Sequence, residues 1–228
     1  MEIFLPTPGV MNGAPFEEVL RARRSVREYL PEALTLSEVS FILWATQGIS
    51  EVHEPLRTAP SAGARYPIVL YLVAGGDEVE GLKEGIYRYI PDRHSLLLLR
   101  EGDYRAELAE ASLGQEHVAL APAIIAFAVE FWRTTSRYGE RGYRYVWIDV
   151  GHAAQNTYLA AFALGLGTVG VGAFNDGEVA KVLGLSQKEH PAYLMPIGRP
   201  SPDAPRSSSW EEIHEYLTRN REGKTTYS

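Results

Sequence analysis

The chain has 228 residues, with 22 Lys and Arg against 29 Asp and Glu, and a formal net charge of −7. It contains no cysteine, which excludes disulfide bonds, thiolate metal sites and a cysteine nucleophile. Hydrophobic residues make up 45% of the chain, which indicates a folded globular protein rather than intrinsic disorder. The acidic balance argues against a nucleic-acid partner, because a polyanion requires a basic surface.

Two segments bear on membranes and targeting. The start of the chain lacks the basic and apolar regions of a signal peptide. The uncharged run 153–175 contains four glycines and several polar residues, which makes it a poor membrane span. We therefore expect a cytoplasmic protein without membrane contact.

Hydrophobic periodicity predicts helices and strands that mix without a regular βαβ rhythm, which indicates an α+β fold. Thr35 and Glu38 form a capping-box pattern before the second helix, and Gly48 is a natural C-cap for it. We predict helices over 16–23, 36–47, 103–110, 114–120, 143–164 and 176–183, strands over 68–74, 85–90, 95–99, 122–131, 168–171 and 192–197, and a loop over 57–67. We expect one domain over 1–228, with a core at about 15–200 and a polar tail over 201–228.

Arginines are concentrated at the end of the first predicted helix and directly after it. Arg21, Arg23, Arg24 and Arg27 lie within seven residues, and Ser25 lies among them. Guanidinium groups and a hydroxyl suit the oxygens of a phosphate monoester, which accept charge-assisted hydrogen bonds. The alternative is a solvated, charged helix end.

The segment from Gly165 to Gly170 matches the pattern G-x-G-x-x-G. A dinucleotide fingerprint requires these glycines to follow a strand and open a helix. Here a long predicted helix precedes them and a strand follows, so we reject that interpretation. Gly170 and Gly172 alternate with valines within the predicted strand, and glycine there suggests close approach by another backbone or a ligand.

Other candidate sites are weaker. The small-residue loop at 60–64 could approach a flat ligand edge or be an ordinary turn. Asp149 and His152 could face each other on a helix, but the spacing of the histidines predicts no metal site. Arg133, Arg137, Arg141 and Arg144 recur at helical spacing, although Gly139 and Gly142 suggest that part of this stretch is loop. These arginines could form a solvated face or contact a substrate.

In chain order, several motifs together resemble the nitroreductase superfamily of flavoproteins. They are Arg23-Arg-Ser-Val-Arg-Glu-Tyr29, Arg57-Thr-Ala-Pro-Ser-Ala-Gly-Ala-Arg-Tyr-Pro67, Gly85-Ile-Tyr-Arg-Tyr-Ile-Pro91, Leu113-Gly-Gln115 and Ala121-Pro122. The stretch Tyr138-Gly-Glu-Arg-Gly-Tyr-Arg-Tyr145, followed by Asp149-Val-Gly-His-Ala-Ala-Gln-Asn156 and Pro196-Ile-Gly-Arg-Pro200, is similar to the SagB-type dehydrogenase branch. The resemblance spans about residues 20–200.

This resemblance implies a central, mainly antiparallel sheet flanked by helices, and a homodimer holding FMN at the subunit interface. It implies that the arginine segment, residues 21–27, binds the flavin phosphate and ring edge. The small-residue loop would lie against one side of the ring, and the glycine-containing strand end against the other. A C-terminal arginine would complete the phosphate site. The implied cofactor-binding residues are Arg23, Arg24, Ser25, Arg27, Pro60, Ser61, Ala62, Gly63, Gly170, Val171, Gly172, Ala173 and Arg199. Tyr138, Tyr145 and Gln115 are candidate pocket residues; we predict no catalytic side chain, because the flavin carries the chemistry.

The implied activity is ping-pong hydride transfer from NAD(P)H through flavin N5 to a small acceptor such as a nitroaromatic or a quinone. One alternative is a dehydrogenase that oxidises a heterocycle in a modified peptide. Another is a protein that stores or senses FMN without turnover. Arg137-Tyr138 replaces the Lys-Tyr pair of azoline-oxidising enzymes, and arginine cannot readily carry a proton. Asp149 stands where glutamate is more usual.

Overall fold

A central antiparallel sheet organises the molecule. The computed structural model describes residues 1–9, 13–54 and 56–221. Within that part of the chain, one sheet has the order β1-β6-β5-β4-β7-β9-β8, with every neighbouring pair antiparallel. Its strands are β1 (Glu2–Phe4), β4 (Ile68–Ala74), β5 (Gly85–Ile90), β6 (Ser95–Glu101), β7 (Ala123–Val129), β8 (Gly167–Thr168) and β9 (His190–Gly198). A separate pair joins β2 (Ile49–Glu51) and β3 (Leu56–Arg57).

Helices flank the sheet on both sides. They are α1 (Phe16–Ala22), α2 (Leu36–Gln47), α3 (Arg105–Ala111), α4 (Glu116–Leu120), α5 (Phe131–Tyr138), α6 (Arg141–Ala163), α7 (Asp176–Leu183) and α8 (Trp210–Arg221). Every residue of β4 and β7 is buried, because α2 and α6 pack on one face while α3, α4 and α7 pack on the other. Both strands therefore consist of continuous apolar runs rather than alternating ones. The predicted α+β fold, with a mainly antiparallel sheet flanked by helices, is confirmed.

Local signals in the sequence predicted several elements well. The Thr35 side chain accepts the Glu38 amide and the Glu38 side chain accepts the Thr35 amide, so the capping box before α2 is present. The hairpin of β5 and β6 turns at Pro91–Arg93, as predicted. The predicted order of a helix before these glycines and a strand after the helix is also confirmed, since α6 ends at Ala163 and β8 begins at Gly167.

The structure corrects four predicted elements. The strand predicted over 122–131 ends at Val129, because Phe131 begins α5. The break predicted from Gly139 and Gly142 is confirmed at Gly139, which ends α5 before α6 begins at Arg141, but it is wrong at Gly142, which lies inside α6 at its crossing with α5, where a Cβ would be 2.8 Å from the Thr135 Cα. The strand predicted over 168–171 is confined to β8, and Val171 pairs with Leu194 only as an isolated bridge. The polar tail contains α8, although residues 222–228 lie outside the described part.

Candidate functional site

The predicted arginine segment lies beside the strand that follows α6. After α1 ends, Ser25 pairs in parallel with Thr168, and the Val26 amide donates to the Thr168 carbonyl over 3.0 Å. The Val26 side chain fills the space beside Gly167, where a Cβ would be 2.7 Å away. A glycine at 167 thus lets the two segments approach closely, and this approach brings Arg23 and Ser25 towards Gly170.

Tyr158 of α6 joins these residues. The Arg23 Cζ lies 4.9 Å from the centroid of the Tyr158 ring, a cation–π arrangement. Tyr158 Oη accepts the Gly170 amide at 2.6 Å and lies 3.4 Å from Ser25 Oγ. We call Arg23, Ser25, Tyr158 and Gly170 the Tyr158 cluster. Sequence reasoning missed Tyr158, because a tyrosine within an apolar helix has no local signal to distinguish it from a core residue.

The arginines of this segment differ in how they are neutralised. The Arg21 guanidinium pairs with Glu18 at 2.6 Å. Arg24 donates instead to the carbonyls of Arg21 and Arg23, at 3.1 and 2.8 Å. Within residues 1–9, 13–54 and 56–221, the guanidinium groups of Arg23, Arg24 and Arg27 form no ion pair. Three positive charges therefore remain without a carboxylate, as a phosphate-binding group would require.

Arg199 lies in a different environment. Its guanidinium pairs with Glu32 at 3.2 Å and with Glu38 at 3.1 Å. Glu38 also belongs to the capping box of α2, so Arg199 braces the start of that helix. Its carbonyl accepts the Leu30 amide at 2.9 Å, three residues after Arg27. The structure therefore does not bring the Arg199 side chain into the Tyr158 cluster.

The small-residue loop is held by one buried carboxylate. Asp149 of α6 accepts Ser61 Oγ–H at 2.7 Å and the Ala62 amide at 3.3 Å. Ser61 Oγ in turn accepts the Tyr66 amide at 2.9 Å, which closes the loop. Burial raises the pKa of Asp149, and the hydrogen bonds from Ser61 and Ala62 oppose that rise. These contacts leave Pro60 and Gly63 exposed and Ala62 half-buried, as a surface of small side chains.

One of the predicted pocket tyrosines, Tyr138, lies against this loop, and another, Tyr145, packs on Tyr138. Gly63 adopts a left-handed conformation with φ of +60°, and a Cβ there would lie 2.5 Å from Tyr138 Oη and 3.1 Å from Arg137 Nη1. Tyr138 packs edge-on against Tyr145, with ring centroids 5.2 Å apart. We call Ser61, Ala62, Gly63, Tyr138 and Asp149 the loop cluster. Only glycine fits at position 63 without moving Tyr138 or straining the backbone.

The glycine-containing segment after β8 runs along β9. Val171 exchanges backbone hydrogen bonds with Leu194, and Gly170 lies so close to the Tyr193 ring that a Cβ there would collide with it. The sequence-based interpretation of close approach at Gly170 is thus explained by Tyr193 within the chain. Gly172 and Ala173 are exposed. Gln115 Nε2 donates to the Ala173 carbonyl at 2.9 Å and so fixes this segment.

The two clusters are separated along α6. Asp149 and Tyr158 are nine residues apart, which corresponds to about 14 Å along the helix axis and half a turn around it. The contacts of the described residues do not link the Tyr158 cluster to the loop cluster. The structure thus groups Arg23, Ser25 and Gly170 in one place and Ser61, Ala62, Gly63, Tyr138 and Tyr145 in another.

The comparisons with known proteins decide the family. The model of the nitroreductase family matches residues 20–199, which is most of the chain. The chain belongs to the nitroreductase family. It is 47% identical over 199 residues to MJ1384, a protein of this family from Methanocaldococcus jannaschii, and the match covers 87% of this chain and 96% of that protein.

Two further relatives support this assignment. The crystal structure of a nitroreductase-family protein from Ralstonia eutropha superposes with a TM-score of 0.77 at 30% identity, covering 88% of this chain and 90% of the other. The microcin B17-processing protein McbC of Escherichia coli is 31% identical over 140 residues, which are 58% of this chain and 50% of McbC. This chain therefore aligns with only half of McbC.

None of the helices in the described ranges has the length and apolar character to cross a membrane.

We predict that Asp149 makes stability depend on pH in an identifiable direction. The pKa of Asp149 is raised in the folded protein, so folding favours the protonated carboxyl group. The contribution of Asp149 to the free energy of unfolding therefore decreases as the pH rises from about 3.8, its pKa in the unfolded chain, through its higher pKa in the folded protein. The free energy of unfolding of the wild type, minus that of Asp149→Asn, should therefore fall between pH 3.5 and neutrality. Urea unfolding of both proteins across that range measures it, and a constant or rising difference would contradict the assignment.

Proposed function

We propose that this chain is an FMN-dependent oxidoreductase that accepts a hydride from NADH or NADPH and passes electrons to a small acceptor, such as a nitroaromatic or a quinone, in ping-pong turnover. The observation that carries the proposal is the Tyr158 cluster, in which the unneutralised Arg23 and the Ser25 hydroxyl lie beside Tyr158 and the glycine-containing segment at Gly170. Membership of the nitroreductase family supports it, because the resemblance to that family implies FMN.

The phosphate of FMN fits the arginine segment. A phosphate monoester is a dianion near neutral pH and accepts several charge-assisted hydrogen bonds. Arg23 is fixed in direction by the Tyr158 ring, and Ser25 Oγ lies beside it. We assign Arg23, Ser25 and Arg27 to the phosphate and ring edge, with Arg24 alongside. We do not assign the Arg199 side chain, because Glu32 and Glu38 already neutralise it.

The ring of FMN fits the two small-residue surfaces. A flat aromatic ring requires a surface without protruding side chains, and Ala62 and Gly63 offer one on the loop cluster. Gly172 and Ala173 offer another after β8. Asp149 holds the first surface and Gln115 the second, through the hydrogen bonds described above.

A second copy of the chain would unite these surfaces. Since the loop cluster and the Tyr158 cluster face opposite sides of α6, one cofactor contacting both would take each from a different subunit of a homodimer. The exposed part of α6 carries Tyr143, Trp147 and Ile148, each of which is 45–49% exposed. Large apolar side chains grouped on an exposed helix mark an interaction surface, and we propose that they contribute to the subunit interface.

The protein would bind, orient and shield rather than transfer protons. When bound, FMN supplies the hydride acceptor and the electron store. Asp149 is engaged by Ser61 and Ala62, so its carboxylate positions the loop. Tyr138 lies at the edge of the loop surface with Tyr145 packed against it, and these two side chains would exclude water from the flavin ring.

A second candidate is oxidation of a heterocycle in a modified peptide, which the similarity to the microcin B17-processing protein favours. Such a reaction removes a proton as well as a hydride. Tyr138 Oη lies beside Gly63, at the edge of the proposed ring surface, but its neighbour is Arg137 rather than a lysine. Because an arginine stays protonated, we rank this activity second.

Anaerobic titration distinguishes these functions. The protein is saturated with FMN, freed of excess cofactor and mixed with NADH or NADPH while the visible spectrum is recorded. We expect the flavin absorbance to bleach and to return when a quinone or nitroaromatic is added. Absence of bound FMN would contradict the proposal. Bleaching without reoxidation by any acceptor would favour a storage or sensing protein, and bleaching only by an organic substrate would favour the dehydrogenase.

We predict that Arg23→Gln weakens FMN binding about 10- to 100-fold, since hydrogen bonds to charged groups contribute about 1.5–3 kcal/mol. Fluorescence titration of the cofactor-free protein measures the Kd. The matched control is Arg21→Gln, which removes the same charge nearby from a guanidinium already paired with Glu18. If FMN binding is weakened equally in the two variants, the effect is one of general charge, and the assignment of Arg23 to the phosphate site is wrong.

A further inference from the structure

Positive charge is concentrated in the two stretches of sequence that contribute most of the loop cluster. The stretches 57–66 and 130–145 together contain six arginines and two glutamates, in a chain with a net charge of −7. The acidic residues are Glu130 and Glu140, and the arginines are Arg57, Arg65, Arg133, Arg137, Arg141 and Arg144. The proposed cofactor phosphate does not account for this charge, because the arginines assigned to it are Arg23, Arg24 and Arg27, in a different stretch of the chain.

Within this group, Arg65 and Arg137 differ from Arg133. Arg133 pairs with Glu130 and also donates to the Tyr66 carbonyl at 3.1 Å. Arg65 donates to the Arg133 carbonyl at 2.8 Å and to Ser136 Oγ at 3.4 Å, which places it along the C-terminal half of α5. In the described part of the chain, neither Arg65 nor Arg137 forms an ion pair, and both side chains are exposed.

Arg137 lies directly at the loop surface. Its Nη1 is 3.1 Å from the position a Cβ would take at Gly63, and its Cζ lies 5.4 Å from the Tyr138 ring centroid. The guanidinium thus stands at the edge of the surface formed by Ala62 and Gly63. A molecule stacked on that surface would have a positive, hydrogen-bonding group at its rim.

We infer that the molecule exchanging electrons at this site carries an anionic oxygen group, a carboxylate or a phosphate, and that Arg137 recognises it, with Arg65 adding charge nearby. This inference rests on the proposed function. A planar guanidinium binds carboxylate and phosphate oxygens in a bidentate manner. Arg137 can bind in this way because it lies at the rim of the loop surface, beside Tyr138, and forms no ion pair within the described residues. Arg137 is therefore a specificity residue for the charged partner, rather than a proton carrier.

A structural role for Arg137 makes a different prediction. A cation in the last turn of α5 also stabilises the helix through its dipole. Its removal would then weaken α5 and affect every substrate equally. Recognition of an anion should instead affect only the charged substrates.

The test compares Arg137→Gln with the wild type in the FMN-loaded protein, by stopped flow. The reductive half-reaction is measured with NADH, NADPH and uncharged 1-benzyl-1,4-dihydronicotinamide, and the oxidative half-reaction with 4-nitrobenzoate and nitrobenzene. We expect the second-order rate constant to fall about tenfold for charged reactants and to stay within about twofold for neutral ones. A selective fall with the nicotinamide nucleotides identifies a phosphate, and a selective fall with 4-nitrobenzoate identifies a carboxylate.

Two control variants and a binding measurement accompany this test. Lys181→Gln on α7, packed on the opposite face of the sheet, removes one charge from an exposed side chain and should change none of these rates. Arg137→Lys should restore only part of the discrimination. Calorimetry of benzoate and of inorganic pyrophosphate provides a readout independent of turnover, and the anion that Arg137 recognises should bind more weakly to Arg137→Gln.

Equal effects on charged and neutral reactants, or no effect on any, would overturn the inference while leaving the proposed oxidoreductase intact. A protein that retains no FMN, or whose FMN no donor reduces, would overturn the proposed function and this inference with it.

Discussion

The packing of α6 against the central sheet is the constraint on which the rest of the candidate site depends. Val146, Val150, Ala153 and Ala161 bury one stripe of this helix in the core that it shares with α2 and with the facing side chains of β4 and β7. That packing fixes the rotation of the helix about its axis. Asp149 is consequently directed at the small-residue loop, and Tyr158 at the arginine segment. A change in the rotation of α6 would displace both clusters together.

Arginines that are neutralised by carboxylates differ in role from those that are not. Carboxylates neutralise Arg21, Arg133 and Arg199: Glu18 and Glu130 do so locally, and Glu38 does so from the start of α2. No such partner neutralises Arg23 or Arg137 among the residues that the structure describes, and each instead lies beside a tyrosine ring. In an acidic chain, arginines placed in this way stay available to a ligand. The phosphate assignment and the inferred anionic substrate both follow from this distinction.

Sequence patterns predicted features that depend on neighbouring residues. The capping box of α2, the hairpin of β5 and β6, and the bounds of α7 all follow from local signals. Gly142 was misinterpreted because glycine serves turns and close helix packing alike, and only the crossing of α5 and α6 distinguishes them. The roles of Tyr158 and Arg199 were inaccessible for a related reason: Tyr158 meets Ser25 across 133 positions and Arg199 meets Glu38 across 161. The resemblance to the family predicted a role for the small-residue loop, but only the structure shows that the Asp149 carboxylate holds this loop in place.

The central claim is that one FMN site combines the Tyr158 cluster of one subunit with the loop cluster of the other. Subunit mixing tests it most directly. Arg23→Glu reverses the charge of the first cluster, and Gly63→Val displaces Tyr138 in the second, so neither homodimer should retain FMN. A mixed dimer of the two variants should bind about one FMN per two chains, because one of its two sites then has both clusters intact. A mixed dimer that binds none would place both clusters in the same subunit's site and contradict the account.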